Sequence, residues 1–516
     1  MYRWLLSSYP PWITAEALIL IGLLTHSILH HIRINHDCAA CLQVGQMLLD
    51  GRTLYVDFFD VNLPAIFYLN MLPAAMARYL SQPPTLSFAF CVGLMVALSW
   101  AQLRVAVRRT PMRGTTAENS LITLAWLAAN GVIYLRGDYG QREHLFALAY
   151  LPALAARAVC LEGGHMPRST DIWLGIQAGI GACIKPHFVL IVLAVEGCFL
   201  LCGRRWKALL WPDALAFICV LAAYALHWLV LPAAMRDGFL NRSIPFALHG
   251  YRAYERSLGD LIGGTPMTLF LAVAAAVWLM FYARIFRRQL LMGFVTAAVA
   301  GLAICFVQRK AWTYHYIPFE MAGALAAAVL LVQLGRALAA DKACRRMRLP
   351  ALLWLFFMAM SGGGIALRAV AQDGARFEQL QLERGSIEEA IVAHTLPGER
   401  VIVFSTSCEP AEPLFAQAGL QMGQRCGCFM VAAANFRPGS LDTAGRVLLA
   451  SLQEDIGSRQ SRLIVVRTQP GCQGCPADFR LSDYFREAGL LQLAQQEGYS
   501  PIPSPEGWAM YEYCGR

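Results

Sequence analysis

Charge is scarce in this chain. Asp, Glu, Lys and Arg together make up 15% of the 516 residues, against about a quarter in soluble globular domains. That shortage excludes an ordinary soluble domain. Also missing are an internal repeat, a low-complexity tract, a phosphate-cradling glycine motif and a basic stripe for nucleic acid. No nucleic-acid ligand is therefore expected. The first apolar run leads to no small-residue cleavage pattern, so it is expected to stay in place as an anchor.

What is present is hydrocarbon. Hydrophobic residues reach 57% and the mean hydropathy is +0.46, the balance of a polytopic α-helical membrane protein. Windows such as Trp12 to Ile32, Leu86 to Val107, Ala214 to Leu231 and Leu349 to Ile365 approach or exceed the length needed to cross about 30 Å of hydrocarbon. Basic residues gather at Arg104, Arg108, Arg109 and Arg113; at Arg204, Arg205 and Lys207; at Arg284, Arg287 and Arg288; and at Lys342, Arg345, Arg346 and Arg348. Because short cytoplasmic loops collect Lys and Arg, all four clusters and the N-terminus are placed inside, which requires about eleven spans. These fall near 12–32, 86–107, 119–135, 144–160, 171–184, 187–203, 212–231, 264–284, 290–307, 318–337 and 349–370. Most of the net charge of +9 then reports topology rather than an anionic polymer partner.

This topology sends the unusual polar stretches to the outer face. They are residues 34–64, "LRGDYGQREH" at 135–144, "IKPH" at 184–187, the 232–263 loop and "QRKAWTYHYIP" at 308–318. An ionisable group at mid-bilayer costs roughly 2.5–3.5 kcal/mol on insertion scales. Arg136, Asp138, Arg142, Glu143 and His144 therefore mark a membrane face or a pocket beside one. The apolar 64–80 stretch, interrupted by Pro73, reads as an interfacial helix, since a full span there would turn the Arg104 cluster outward.

Residues 1–370 form the expected membrane domain, and the more polar residues 371–516 a small extracytoplasmic α/β domain. "RVIVFST" at 400–406 and "SRLIVVRT" at 461–468 read as buried strands, with helices near 374–394 and 441–457. Six of the 16 cysteines lie here: Cys408, Cys426, Cys428, Cys472, Cys475 and Cys514. Disulfides, a zinc site built on Cys-x-Cys and Cys-x-x-Cys, and thiols remain alternatives. The other ten cysteines read as small buried hydrophobes.

On the outer face, carboxylates confront cations. Asp37, with His36 beside it, follows the first span; Asp57 and Asp60 lie in "VDFFDVNLP"; Asp138 and Glu143 belong to the next outer loop. Such acids suit a general base and groups that hold a polyhydroxylated ligand. Arg142, Lys185, Arg309 and Lys310 suit a phosphate held at the bilayer edge. Each has a plainer alternative. Asp37 can cap the helix that follows it, Asp57 and Asp60 can be turn residues, and Asp138 can close a loop. Glu143 can pair with Arg142 or complement a helix dipole, the cations can snorkel to headgroups, and His315 can belong to an aromatic belt with Trp312, Tyr314 and Tyr316.

In chain order, "NHDCAACLQVGQMLLDG", "LYVDFFDVNLPAIFYL", "GDYGQREH", "GACIKPHFVLIVL" and "QRKAWTYHYIP" resemble the GT-C-fold membrane glycosyltransferases. The similarity is to the bacterial branch that includes aminoarabinose transferases and protein O-mannosyltransferases, over roughly residues 12–370. Relatives often carry two prolines where this chain has "VNLP". The resemblance implies a polyprenyl-phosphate sugar donor used on the outer face without a nucleotide. It matches Asp37 to the family's first-loop catalytic acid, Asp138 to the acid of the second outer loop and Lys185 to a lysine near the fifth and sixth spans. Arg309, Lys310 and His315 fall in the segment that approaches the lipid phosphate in relatives.

The expected reaction is transfer of a hexose or pentose to an envelope glycolipid, polysaccharide or protein at the inner membrane, with inversion. Asp37 would act as base, Lys185, Arg309 and Lys310 would stabilise the departing phosphate, and Asp138 and Glu143 would orient Asp37 or bind sugar hydroxyls. No cofactor is demanded, although Asp37 and Asp138 would suit a shared divalent cation. The competing expectation is a transporter or flippase of a lipid-linked saccharide. Such proteins place polar groups near mid-membrane in repeated halves, a pattern not found here.

Overall fold

The computed structural model describes residues 11–111, 114–203, 206–250, 254–282, 287–340, 385–405, 407–426, 443–471 and 478–515. The longer helices of the first 340 residues are α1 (Pro11–Leu29), α2 (His36–Leu49), α3 (Pro64–Leu80), α4 (Pro84–Arg108), α5 (Thr116–Leu135), α6 (Arg142–Leu161), α7 (Arg168–Cys183), α8 (Phe188–Gly203), α9 (Pro212–Val230), α10 (Met267–Tyr282), α11 (Arg288–Gln308) and α12 (Ile317–Ala340). Each of the first ten expected spans coincides with one of these helices. Among the described residues, six helical stretches are long and apolar enough to cross a membrane: Pro11–Leu29, Pro84–Arg108, Arg142–Leu161, Pro212–Val230, Arg288–Gln308 and Thr313–Arg336. The expected span at 349–370, the 370/371 boundary and Cys428, Cys472 and Cys475 lie outside the described residues.

The chain divides into two compact units. The first comprises Met1–His30, Ala89–Leu226 and Arg256–Arg376. Its centre is α6, packed against α7 and α11, while α12 packs on α5, α10 and α11. Some 89% of the apolar window of α6 is buried, so this helix faces protein and not lipid. That placement explains how Arg142, Glu143, His144 and Arg157 can lie on one apolar helix. Arg157 is paired with Glu196 at 2.7 Å and Asp213 at 3.1 Å, as buried charges must be. Arg104, expected only as an inward-facing cation, is likewise bonded to the buried Glu16. The start of α5 carries a capping box, Thr115 with Glu118.

The second unit comprises His31–Phe88, His227–Glu255 and Phe377–Arg516. Helices α2 and α3 pack closely at Gly45, where an added Cβ would meet the Asn70 backbone at 2.7 Å. Of the 232–263 stretch expected as a loop, this unit holds Ala233–Gly238 and Ile244–Gly250, joined through a π-helical turn at Phe239–Ser243, while the short helix Leu258–Gly264 belongs to the first unit. The expected strands appear as β1 (Arg400–Phe404) and β3 (Ser461–Arg467). They join β2 (Gln421–Met422), β4 (Tyr499–Ile502) and β5 (Trp508–Tyr513) in a sheet of order β2-β1-β3-β5-β4. β1 is parallel to β2 and β3, whereas β5 is antiparallel to β3 and β4.

Continuing the helix numbering, α13 (Ala411–Ala418) packs on α2, and α14 (Thr443–Gly457), α15 (Leu481–Glu487) and α16 (Leu490–Gln496) accompany the sheet. Ile402, Phe404, Ile464 and Val466 face Leu452, Ile456 and Phe485 in its core. This is the alternation expected where one strand face meets helices. Among the described residues, Cys408, Cys426 and Cys514 form no disulfide with one another.

Candidate active site

In the first unit, three of the polar stretches converge. The turn between α5 and α6 presents Arg136 and Asp138; the start of α6 presents Arg142 and Glu143. Lys185 comes from the α7–α8 connection, and a 3-10 turn at Thr313–Tyr316 leads into Glu320 on α12. Arg136 donates through Nε to Asp138 Oδ2 at 2.7 Å, and through Nη1 and Nη2 to Glu320 Oε1 and Oε2 at 2.7 and 2.8 Å. Thr313 Oγ1 donates to Asp138 Oδ1 at 3.2 Å. Burial pushes the Asp138 carboxyl above its usual range, opposed by Arg136 and Thr313.

Beside this network, Lys185 Nζ donates to Glu143 Oε1 at 2.5 Å, and His315 Nε2 lies 3.9 Å from the same oxygen. Arg142 and Lys185 both lie over the Tyr314 ring, 5.7 and 5.5 Å from its centroid. Glu143 and His315 are almost wholly buried, yet Glu143 Oε2 and His315 Nδ1 have no hydrogen-bond partner among the described residues. Buried polar atoms are seldom left so outside functional sites. On the next residue of α6, His144 Nδ1 accepts from the Gly140 N–H at 3.0 Å, which makes Nε2 the donor to Asn130 Oδ1 at 2.8 Å. That histidine is held in one tautomer. Arg309 is exposed, with Nη2 3.5 Å from the Arg256 carbonyl, and Lys310 beside it is half-buried.

In the second unit, Asp37 occupies the first turn of α2, a quarter exposed. Its backbone N–H donates to Asn35 Oδ1 at 2.9 Å. Asn35, not Asp37, is the helix cap, because its side chain reaches back to the helix entry while Asp37 already has helical geometry. His36 Nε2 stands 3.8 Å from Asp37 Oδ1. Ligand atoms of His36, Asp37 and Cys408 all lie within 4.8 Å of one another. Asp57 Oδ2 accepts from the Thr53 N–H at 2.7 Å, closing a turn. Asp60 Oδ1 accepts from both the backbone and side-chain N–H of Asn62 at 2.6 Å, an Asx-type turn. Asp60 also lines a small cavity of about 30 Å³ with Arg242, Ser243 and Cys426.

Residues 64–308 match the family described as Glycosyltransferase family 87. Over 98% of both chains, the structure is similar to ArnT from Cupriavidus metallidurans bound to undecaprenyl phosphate, with a TM-score of 0.57 and 14% identity. The apo state of the same ArnT gives 0.53 and 13%, over 97% of this chain and 98% of that one. No curated protein matches the sequence. The fold is that of a GT-C membrane glycosyltransferase.

Within this GT-C fold, the first unit brings together Asp138, Arg142, Glu143, Lys185 and His315, while Asp37, Asp57 and Asp60 belong to the second. Sequence reasoning missed Glu320, which anchors Arg136, and, although it named Cys408 among the six C-terminal cysteines, it missed that residue's place beside Asp37. Glu320 carried a signal: an acid inside an apolar run needs a buried partner. Cys408 carried none, since only tertiary folding carries it to the start of α2.

Proposed function

We propose that the protein transfers a sugar from a polyprenyl-phosphate donor to an envelope acceptor on the outer membrane face. The buried Glu143–Lys185–His315 cluster carries this reading. A lysine and an arginine against one tyrosine ring, with a carboxylate holding the lysine in place, form a preorganised cationic seat for a phosphate. The similarity to an ArnT bound to undecaprenyl phosphate supports that ligand class.

In this reading Lys185 and Arg142, with Arg309 and Lys310 nearer the exterior, neutralise charge that accumulates on the departing lipid phosphate. Glu143 positions Lys185, and His315 Nδ1 takes a hydrogen bond from donor or lipid headgroup. Asp138, steadied by Arg136 and Thr313, binds sugar hydroxyls. Asp37 accepts the proton of the acceptor hydroxyl as its oxygen attacks the anomeric carbon and the C–O bond to phosphate breaks, with inversion at that carbon. Asp57 and Asp60 hold the backbone of their segment and contribute through it.

The test uses purified protein in liposomes containing radiolabelled polyprenyl-phosphate sugar and an envelope extract. Label leaving the lipid and appearing on an acceptor, with loss in Lys185→Ala, is the expected result. Movement of intact lipid-linked sugar across the bilayer without cleavage would overturn the proposal in favour of transport.

A further inference from the structure

We infer that His36, Asp37 and Cys408 form a binding site for a thiophilic divalent cation of the zinc type. The site brings together consecutive residues at the start of α2 and a residue from the loop between β1 and α13, far apart in sequence. Three features of the fold set this meeting. α13 packs along α2; Gln417 Nε2 donates to the Ile32 carbonyl at 2.8 Å; and Gln43 Nε2 donates to the Leu420 carbonyl at 3.2 Å. The Cys408 loop is itself fixed, because the Ser405 and Ser407 hydroxyls both donate to the Glu409 carbonyl at 2.9 Å and the Glu412 N–H donates to the Cys408 carbonyl at 3.0 Å.

Metal bonds of about 2.0–2.3 Å in a tetrahedron put ligand atoms roughly 3.3–3.8 Å apart. The His36–Asp37 separation is 3.8 Å and all three donors lie within 4.8 Å, so small side-chain rotations close the set. Thiolate, imidazole and carboxylate together favour zinc over the hard cations magnesium and calcium, which take all-oxygen sites. Three protein ligands leave a fourth position for a water or phosphate oxygen. His36 is 40% and Asp37 23% exposed, so the position is open to solvent. This inference goes beyond the transferase reading and stands whether or not Asp37 is the base.

The test is metal binding by the full-length purified protein, independent of transfer. After zinc loading and removal of excess, wild type should hold one more equivalent than Cys408→Ser, and His36→Asn should bind that equivalent at least about tenfold more weakly. With Co²⁺ in place of zinc, wild type should show a near-ultraviolet thiolate-to-cobalt band that Cys408→Ser lacks. In wild type alone, zinc should slow alkylation of Cys408, which keeps the test valid should a variant fold poorly. Equal metal content in all three proteins, alkylation unaffected by zinc, or recovery of Cys408 in a disulfide-linked peptide would overturn the assignment.

Discussion

Arg136 grips Glu320 through two parallel hydrogen bonds of 2.7 and 2.8 Å while its third nitrogen holds Asp138. One guanidinium thus joins the α5–α6 turn to the head of α12. Replacing it with Ala leaves the buried Asp138 and the partly buried Glu320 without their cation, a loss of at most about 3–5 kcal/mol, the cost of a broken buried pair. Arg136→Ala should lower the thermal midpoint in detergent markedly. Arg136→Lys, with a point charge in place of the fork, should fall between it and wild type.

Lys185 is held by Glu143 and should act mainly on the chemical step. Lys185→Ala is expected to lower kcat about 10²–10³-fold, the usual cost of removing one preorganised stabilising group. KM for the lipid donor should change less. Glu143→Gln keeps Lys185 but loosens it, and its kcat should lie between the two. Steady-state kinetics with varied donor checks both.

Asp37 and Asn35 separate chemistry from folding. Asn35→Ala removes the α2 cap and should cost about 0.5–2 kcal/mol of stability, with transfer by the folded fraction little changed. Asp37→Asn leaves the cap intact, so it should fold normally while transfer falls about 10²–10⁴-fold. Near wild-type transfer by folded Asp37→Asn would remove the base assignment.

Asp455 sets a pH dependence in the sheet-bearing part of the chain. It accepts from the Arg425 N–H at 2.9 Å and meets Arg425 Nε at 3.1 Å, yet burial pushes its carboxyl up to about 6. Between its unfolded value near 4 and about 6, the folded state binds more protons than the unfolded one. Stability therefore falls as pH rises through that window, by about 3 kcal/mol at most for this group. Melts between pH 4 and 7 should show the fall, and Asp455→Asn should flatten it.

Much of this was legible in the sequence for physical reasons. Lipid requires long apolar helices, so runs such as 142–161 declared themselves through hydropathy alone. The ionisable groups at 136–144, 185 and 315 stood out because hydrocarbon penalises them. Two of the five strands, at 400–404 and 461–467, showed as apolar runs, whereas the two-residue β2 and the half-exposed β5 offered no periodicity. Pairings escaped entirely. Nothing local indicates that Glu143 takes Lys185 as its partner and not the adjacent Arg142, or that Asn35 and not Asp37 caps α2. Those choices follow from which helices pack together.

The Arg136–Glu320 bond spans 184 positions of chain, and this separation bears on biogenesis. During synthesis the α5–α6 turn is made long before α12, so Arg136, already beside Asp138, meets its distant acid Glu320 only when most of the bundle has been synthesised. The tie to α12 therefore forms late, and a polypeptide truncated ahead of Glu320 would keep the local Arg136–Asp138 pair but lose the bond that fastens it to α12.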